Sequence, residues 1–593
     1  MSNVNGVLST LSSKFSQLTA TAVVLGTILT VALLRTAKSL CRSQELKHRV
    51  KRRLKRREQV FAQLHEKTVD LPDEYVDQVM KKSMKEILDG LRSGEWKCVE
   101  ILRVFQKAAL RAQERTNCVV EFLEDAEKRA ETMDTAGLDL NFTKPPLFGL
   151  PISIKACIPI LGHDVFAGYA NNLEKPSDED ALLIQQLRQL GAIPYVTTTV
   201  PQSLLTFSCE NPVYGTTKHP ERADRTPGGS SGGEAALIGA RGSVIGIGSD
   251  VGGSIRIPAA FCGIAGLKPS SRRFSKFSSP GSVPGRSHTF ASIGPMAISI
   301  KDCAELLRIL WKDDWTHLRD PYVPPVIFNN EAYTSKKPLK IGVYVDDGWF
   351  TVTPAVERAV IETADILRKL GHTVVEFKPH DIFRAIELVI KATTFDNGKF
   401  LHDAILNDLP VDGYRNMIRQ SSMPVWIRKV VSKLISKISP RFSNLAKACH
   451  SDLTDLRLTN CGVETYQKEF SMRWRDAGLD CVLSPINVCP AMRHKDPYSL
   501  FSTVSYTILY NGLDYAGGTV PVTRVTQQDI DNLKNYATSD SWYRWAKDSA
   551  QDTVGLPVGI QIVAPPYEEE RALRVLGEIE DKIKELGAFS YTI

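Results

Sequence analysis

The chain has 593 residues, 43% hydrophobic and 24% charged, which supplies a sizeable core and excludes disorder over the whole length. The formal net charge of +7 is a mild excess, so where the basic residues sit matters more than their total. Eleven scattered cysteines, with no Cys-x-x-Cys pair and no Cys/His cluster at zinc spacing, argue against a metal module and for free thiols in a reducing compartment.

The first predicted element is Leu18 to Leu34, LTATAVVLGTILTVALL, an uncharged run within the range that spans a bilayer as a helix. Basic residues follow it: Arg35, Lys38, Arg42, Lys47, Arg49 and the run KRRLKRR from Lys51 to Arg57, whereas only Lys14 precedes it. The positive-inside rule then makes residues 1–35 a tail and single transmembrane helix, with everything after Arg35 in the cytosol. A cleaved signal peptide is the main rival, and it needs its positive charge ahead of the apolar run. The basic run itself reads as contact with anionic lipid headgroups, as a solvated helix face, or as both together.

Residues 36–110 read as a basic, helical region, with VDQVMKKSMKEILDGLRSG closed by Gly94. Beyond it, strand-like and helical runs alternate. PISIKACIP, AIPYVTTT, SVIGIGSD, KIGVYV and HTVVEF predict strands; DALLIQQLRQLG and AVERAVIETADILRKLG predict amphipathic helices ended by glycine. Such alternation predicts an α/β fold with a central mixed sheet surrounded by helices. With no internal repeat and no low-complexity linker, residues 111–593 are expected to form one catalytic domain.

One apolar stretch interrupts the pattern, WIRKVVSKLISKISPRF, within a predicted segment of about 423–450. Ile427, Val430, Val431, Leu434, Ile435 and Ile438 recur at helical spacing, with Arg428, Lys429, Lys433, Lys437 and Arg441 between or after them, and Pro440 breaks the run. That pattern describes a helix lying in a membrane interface, or a core-packed helix with a solvated basic face.

The region richest in chemistry is Thr226 to Pro269, TPGGSSGGEAALIGARGSVIGIGSDVGGSIRIPAAFCGIAGLKP. Gly228, Gly229, Gly232 and Gly233 surround Ser230 and Ser231, giving the backbone freedom to bring both serines close to other groups. The helix-like EAALIGA after them points its first amides back toward the loop. Ser254 follows a second glycine pair, in a turn whose N–H groups can converge on an oxyanion. The Gly-Lys-Ser/Thr ending of a phosphate-binding loop is missing. So is the Gly-x-Ser-x-Gly elbow.

These motifs resemble the amidase signature family over roughly Gly149 to Ala564: GLPISIKA around Lys155, the GGSSGGE loop, D-x-GGSIR-x-PA, and GLPVGIQIVA at 555–564. The resemblance implies the amidase signature fold with a twisted central sheet, and a triad of lysine, bridging serine and nucleophilic serine. These roles fall on Lys155, Ser230 and Ser254, with Ser231 as a supporting hydroxyl and a cis peptide at Gly229–Ser230. Lys155 lies in an apolar strand, where burial lowers the lysine pKa and frees the amine to act as a base. It would draw the Ser254 proton through Ser230 and return it to the leaving amine. The N–H groups of Val251, Gly252, Gly253 and Ser254 would bind the oxyanion. Asp250 and Arg256 are expected to pair and hold the loop. His163 and Cys157, near the lysine, read as packing or hydrogen-bonding residues.

Within the family the likeness is to the animal-type fatty-acid amide hydrolases, carried by the apolar N-terminal segment, SSGGEAALIG, SYTILYNGLDYAGGTVPVTRVT from Ser505, and the basic amphipathic insertion. It implies hydrolysis of long-chain acyl ethanolamides and primary amides at an intracellular membrane, such as the endoplasmic reticulum. A homodimer is expected; no metal, cofactor or nucleic acid is. Leu204 stands where that branch contacts ligands, and Phe207, Ile508 and Trp542 are candidate walls of an acyl channel, or core. Two other readings stay open: an amidase for small polar amides, and an inactive membrane scaffold.

Overall fold

The computed structural model describes residues 2–139, 141–277, 281–414, 418 and 422–590. In the first 35 residues it describes side chains only at 14, 19, 21–23, 25–27, 29, 30, 33 and 34, so the apolar run 18–34 lies partly outside the described residues.

The strands are β1 (Val119–Phe122), β2 (Pro151–Lys155), β3 (Ile193–Thr198), β4 (Glu210–Asn211), β5 (Gly215–Thr216), β6 (Ile245–Asp250) and β7 (Ala265–Lys268). They continue with β8 (Ser292–Ala297), β9 (Lys340–Val343), β10 (Thr373–Glu376), β11 (Cys481–Ser484), β12 (Ala516–Arg524) and β13 (Pro557–Ala564). All but the small β4–β5 pair join one 11-stranded sheet in the order β1-β3-β2-β6-β8-β7-β12-β13-β11-β9-β10. The sheet is mixed: β2 runs parallel to both β3 and β6, and β6 antiparallel to β8. Each predicted strand run is present. The central strands lack apolar–polar alternation because both faces are covered: every residue of β2, β3, β7, β8 and β13 is buried.

One consequence positions the site. Two neighbouring parallel strands end at the same edge of the sheet, and β2 ends at Lys155 while β6 ends at Asp250. The lysine and the loop after Asp250 are thereby brought together from 95 residues apart in sequence (250 minus 155). That edge is where open α/β sheets place their ligand crevices.

Three expectations need correction. VDQVMKKSMKEILDGLRSG is two helices, Asp73–Met80 and Met84–Ser93, because Ser83 caps the second one reciprocally with Glu86. Gly94 ends it in the left-handed conformation, at φ +82°. The basic run, second, is only partly a solvated face: Lys51, Arg52, Lys55 and Arg56 are exposed, while Arg53 and Arg57 are half-buried against the body. It lies on the long helix Ser2–Thr68 and docks on the catalytic body. Arg52 forks onto Glu174 with two 2.8 Å bonds, Arg53 meets Glu121 at 3.0 Å, and Arg56 meets Glu124 at 2.5 Å. Arg57 donates to Val119 O (3.0 Å) on β1, an edge strand of the sheet, and lies over the Tyr214 ring. Leu46 is buried beneath this helix with Val120, Phe166 and Tyr214. At 1.5 Å rise per residue the helix is about 100 Å long.

Third, the segment from Trp426 to Phe442 is two helices, Val425–Ile435 and Pro440–Lys447, with Pro440 opening the second. Ser432 Oγ donates to Ser443 O and Ser443 Oγ to Ser432 O, each at 2.9 Å, which clasps them face to face. Arg441 is not a surface cation: it is buried on the rings of Phe350 and Tyr543 and donates to Trp349 O at 2.8 Å. The opposite face is open, with Trp426 68%, Leu434 73% and Ile438 79% exposed.

Among the described residues no helix is long and apolar enough to cross a membrane. The described side chains of the apolar run, Val23, Leu25, Leu29, Leu33 and Leu34, are exposed.

Candidate active site

Lys155 is the last residue of β2 and has no solvent exposure. Its Nζ lies 2.8 Å from Ser230 Oγ, 3.1 Å from Ser249 O and 3.0 Å from Ser249 Oγ. No carboxylate reaches it within ion-pair distance among the described residues. Burial therefore dominates and holds its pKa below the ordinary lysine value.

Ser230 and Ser231 form the turn before the helix Gly232–Gly239, and the peptide Gly229–Ser230 is cis. Ser231 ties the two glycine loops together. Its N–H donates to Ser254 O (3.1 Å), its Oγ donates to Ser249 O (3.2 Å), and it accepts from Ser249 N–H (3.3 Å).

The second loop is built on an ion pair. Arg256 Nε and Nη2 each donate to Asp250 at 3.0 Å, and neither side chain is exposed. Burial would raise the Asp250 carboxyl, but Arg256 holds it well below the usual carboxylate range. Gly253 sits at φ +123°, and a Cβ there would meet Thr507 Oγ1 at 2.5 Å, so only glycine closes this turn. The Gly253 N–H donates to Asp250 Oδ1 at 2.7 Å. That corrects the expectation of four oxyanion donors: Gly253 is engaged within the loop. The N–H groups of Val251, Gly252 and Ser254 have no protein acceptor among the described residues.

Ser254 is half-buried beside these amides, and its hydroxyl makes no hydrogen bond to Ser230 among the described residues. The loops are linked instead through the Ser231 N–H.

Residues 100–573 match the amidase family. The chain belongs to the amidase signature family of amide-hydrolysing enzymes. It is 42% identical over 506 residues to fatty acid amide hydrolase 1 of Caenorhabditis elegans, covering 85% of this chain and 88% of that one. It is 36% identical over 520 residues to the fatty-acid amide hydrolase 1 of Sus scrofa, covering 86% and 87%. A solved fatty acid amide hydrolase superposes with a TM-score of 0.74 at 25% identity, covering 92% of this chain and 94% of that structure.

This amidase surrounds its site with polar groups that sequence reasoning did not single out. Ser249 supplies two of the three contacts to Lys155. Arg256 also reaches Asn511 Oδ1 (2.7 Å) and Gln561 Oε1 (3.1 Å), while Thr507 Oγ1 donates to Gly252 O (2.6 Å). Thr507 and Asn511 lie in SYTILYNGLDYAGG and Gln561 in GLPVGIQIVA, so the signal was a polar residue inside an apolar motif. Glu234 is another: fully buried, it accepts from Thr198 Oγ1 (2.6 Å) and from Ser153 Oγ, and burial pushes its carboxyl up to about 7. A Cβ on Gly246 of the adjoining strand would fall 1.7 Å from Glu234 Oε1, so the strand carries glycine there.

The other expected site residues are dispersed. Ile508 packs against the nucleophile loop, 3.5 Å from where a Gly252 Cβ would stand. Phe207 backs onto Gly229 and meets the Phe261 ring edge-on. Leu204 is half-buried at φ +61° between two parts of the core. Trp542 sits elsewhere, between Phe501 and Phe442 of the second amphipathic helix. His163 pairs with Glu121 at 3.3 Å, and the buried Cys157 thiol lies 3.7 Å from Ser249 Oγ. No group of three or more His, Cys, Asp or Glu side chains placed to hold a metal occurs among the described residues.

Proposed function

We propose that this chain is a membrane-bound serine hydrolase that cleaves long-chain fatty acid amides, acyl ethanolamides and primary amides, to fatty acid plus amine. The observation that carries the reading is a lysine with no exposure and no carboxylate partner, 2.8 Å from the Ser230 hydroxyl. A neutral amine has two N–H donors and one lone pair. The two donors suit Ser249 O and Oγ, which leaves the lone pair facing Ser230.

In this mechanism Ser254 Oγ attacks the amide carbon. Its proton moves to Ser230 as the Ser230 proton moves to Lys155. The Ser254–Ser230 contact closes on substrate binding, as catalytic hydrogen bonds commonly do. The N–H groups of Val251, Gly252 and Ser254 stabilise the oxyanion, each contributing about 3 kcal/mol by the usual effect of one donor. Lys155 returns its proton to the departing nitrogen, leaving an ester on Ser254. Water attacks that ester by the same route and releases the fatty acid.

The lipid substrate class is supported by the fatty acid amide hydrolases this chain resembles and by the exposed apolar stripe Trp426, Val430, Leu434 and Ile438. The same resemblance supports a transmembrane anchor at 18–34, a cytosolic catalytic domain on an endomembrane, and a homodimer. A fluorophosphonate probe should label wild type and fail on Ser254→Ala; persistent labelling removes Ser254 as the nucleophile. In a substrate panel, preference for acetamide over a long-chain ethanolamide refutes the lipid reading.

A further inference from the structure

A cavity of about 200 Å³ opens against residues 291–293, at the start of β8. It is close to the site without being part of it: Ile293 in its wall pairs with Ser249 across the β6–β8 ladder. Phe274, Val283, Phe290 and Ile293 make it largely apolar, and Lys276 and Arg286 bring two cations into it.

Neither cation has a direct carboxylate partner among the described residues: no ion pair reaches Lys276 or Arg286. The acids facing Lys276 are engaged: Asp514 accepts from Ser271 N–H (2.8 Å) and Oγ (2.9 Å), and Asp320 from Ser275 Oγ (2.7 Å). Lys276 Nζ stands 3.4 Å from the centre of the Phe290 ring. Arg286 Nε donates to Val283 O (3.0 Å), but its Nη1 is buried without a hydrogen-bond partner among the described residues. Burial pushes Lys276 down to about 8 and Arg286 down to about 10.

Two half-buried cations sharing one cavity repel each other, and each is disfavoured by its partial loss of hydration. A bound anion relieves both. The Arg286 fork matches a planar carboxylate, and the surrounding rings and Val283 match an apolar chain rather than a second charge.

We infer that this cavity is a binding site for the carboxylate of an amphipathic monoacid, with Lys276 and Arg286 on the head and Phe274, Val283 and Phe290 on its apolar part. Two sources supply such a group: a free fatty acid, and an amide whose amine portion ends in a carboxylate. The site is defined by the cavity and does not depend on the nucleophile assignment.

Direct binding to the full chain tests it, on a Ser254→Ala background so that no probe is consumed. Octanoate should bind at least about tenfold more tightly than 1-octanol, the worth of one or two charge-assisted hydrogen bonds. Lys276→Gln and Arg286→Gln should each weaken octanoate about tenfold and leave 1-octanol unchanged. Arg286→Lys, which keeps the charge but loses the fork, should fall between wild type and Arg286→Gln, and that partial rescue separates loss of charge from loss of fold. Comparing octanoate with N-octanoylglycine assigns the source to whichever loses more affinity in the variants. Equal binding of octanoate and 1-octanol, or octanoate binding indifferent to all three variants, overturns the site. Since no arm reads hydrolysis, a failure of the Ser254 assignment leaves this result standing.

Discussion

Asp250 and Arg256 face each other through two 3.0 Å hydrogen bonds with neither side chain exposed to solvent. The carboxylate also accepts from the N–H groups of Gly253 (2.7 Å) and Ile255 (3.1 Å), so this one ion pair sets the path of the loop carrying Ser254. Arg256→Ala leaves a buried carboxylate unpaired and should cost about 3–5 kcal/mol of stability. Arg256→Lys should recover little, because an ammonium cannot span both carboxylate oxygens, Asn511 and Gln561 at once. Denaturant unfolding of the three proteins measures this. An Arg256→Ala protein as stable as wild type would mean that the pair does not hold the loop.

The buried Lys155 makes a prediction about pH. Its pKa is held below the ordinary lysine value by burial, so its neutral, basic form exists above that lowered pKa and is lost as pH falls through it. Hydrolysis should therefore have an acid limb belonging to Lys155. Lys155→Ala should lower the rate at neutral pH by about 10²- to 10⁴-fold, the usual worth of a general base, and should erase that limb. The same sign governs stability. Between the lowered pKa and about 10.4 the unfolded chain binds a proton that the folded one does not, so folding is favoured as pH rises across that window. A Lys155→Ala rate profile that keeps the acid limb would assign it to another group.

Glu234 predicts the opposite dependence. Its carboxyl is pushed up to about 7 by burial, so the folded state holds a proton that the unfolded chain releases near its ordinary pKa of about 4.3. Stability from this group is present below about 4.3 and is lost as pH rises toward 7. Glu234→Gln cannot ionise, so it should be more stable than wild type at pH 8 by on the order of 3 kcal/mol and close to wild type at pH 4. Unfolding midpoints at the two pH values decide it. A constant difference between the proteins would show that Glu234 does not titrate across this range.

How far the sequence could be read depends on where each contact partner lies. The strands that place the site, 151–155, 193–198 and 245–250, are short apolar runs whose limits show locally. Lys155, Ser230 and Ser254 stand in glycine-rich or apolar contexts that mark them in the same way. Thr507, Asn511 and Gln561 also stand as polar residues in apolar motifs, but their roles depend on partners far away in the chain, which no local context reveals: Arg256 meets Gln561 across 305 positions. The basic run 51–57 misled for the same reason. Arg52, Arg53 and Arg56 are answered by Glu174, Glu121 and Glu124, so part of a patch that reads locally as a free basic face is an intramolecular dock, while Lys51 and Lys55 stay exposed. Likewise, the Gly253 N–H was expected to face substrate because the turn chemistry is visible in sequence. Its capture by Asp250, three residues earlier, is a matter of side-chain geometry.

The exposed stripe on the helix Val425–Ile435 and the turn after it carries the last prediction. Trp426, Val430 and Leu434 follow one another at four-residue intervals on one face of the helix, Ile438 follows in the turn beyond it, and the four are 68, 49, 73 and 79% exposed. Lys433 and Lys437, also exposed, flank them, the arrangement of a helix pair resting in a membrane interface. Fully burying one such side chain is worth about 1.5–3 kcal/mol, so partial insertion of three should exceed 1.4 kcal/mol, or tenfold. Trp426→Ser, Leu434→Ser and Ile438→Ser combined should therefore raise the apparent KM for a long-chain amide presented in vesicles by about tenfold or more. The kcat should hold, and so should turnover of a short, water-soluble amide, because none of the three side chains belongs to the Lys155–Ser230–Ser254 site. Steady-state kinetics on both substrates make the distinction. An unchanged KM for the vesicle substrate would detach this stripe from the membrane, and a parallel loss on the soluble amide would instead indicate damage to the fold.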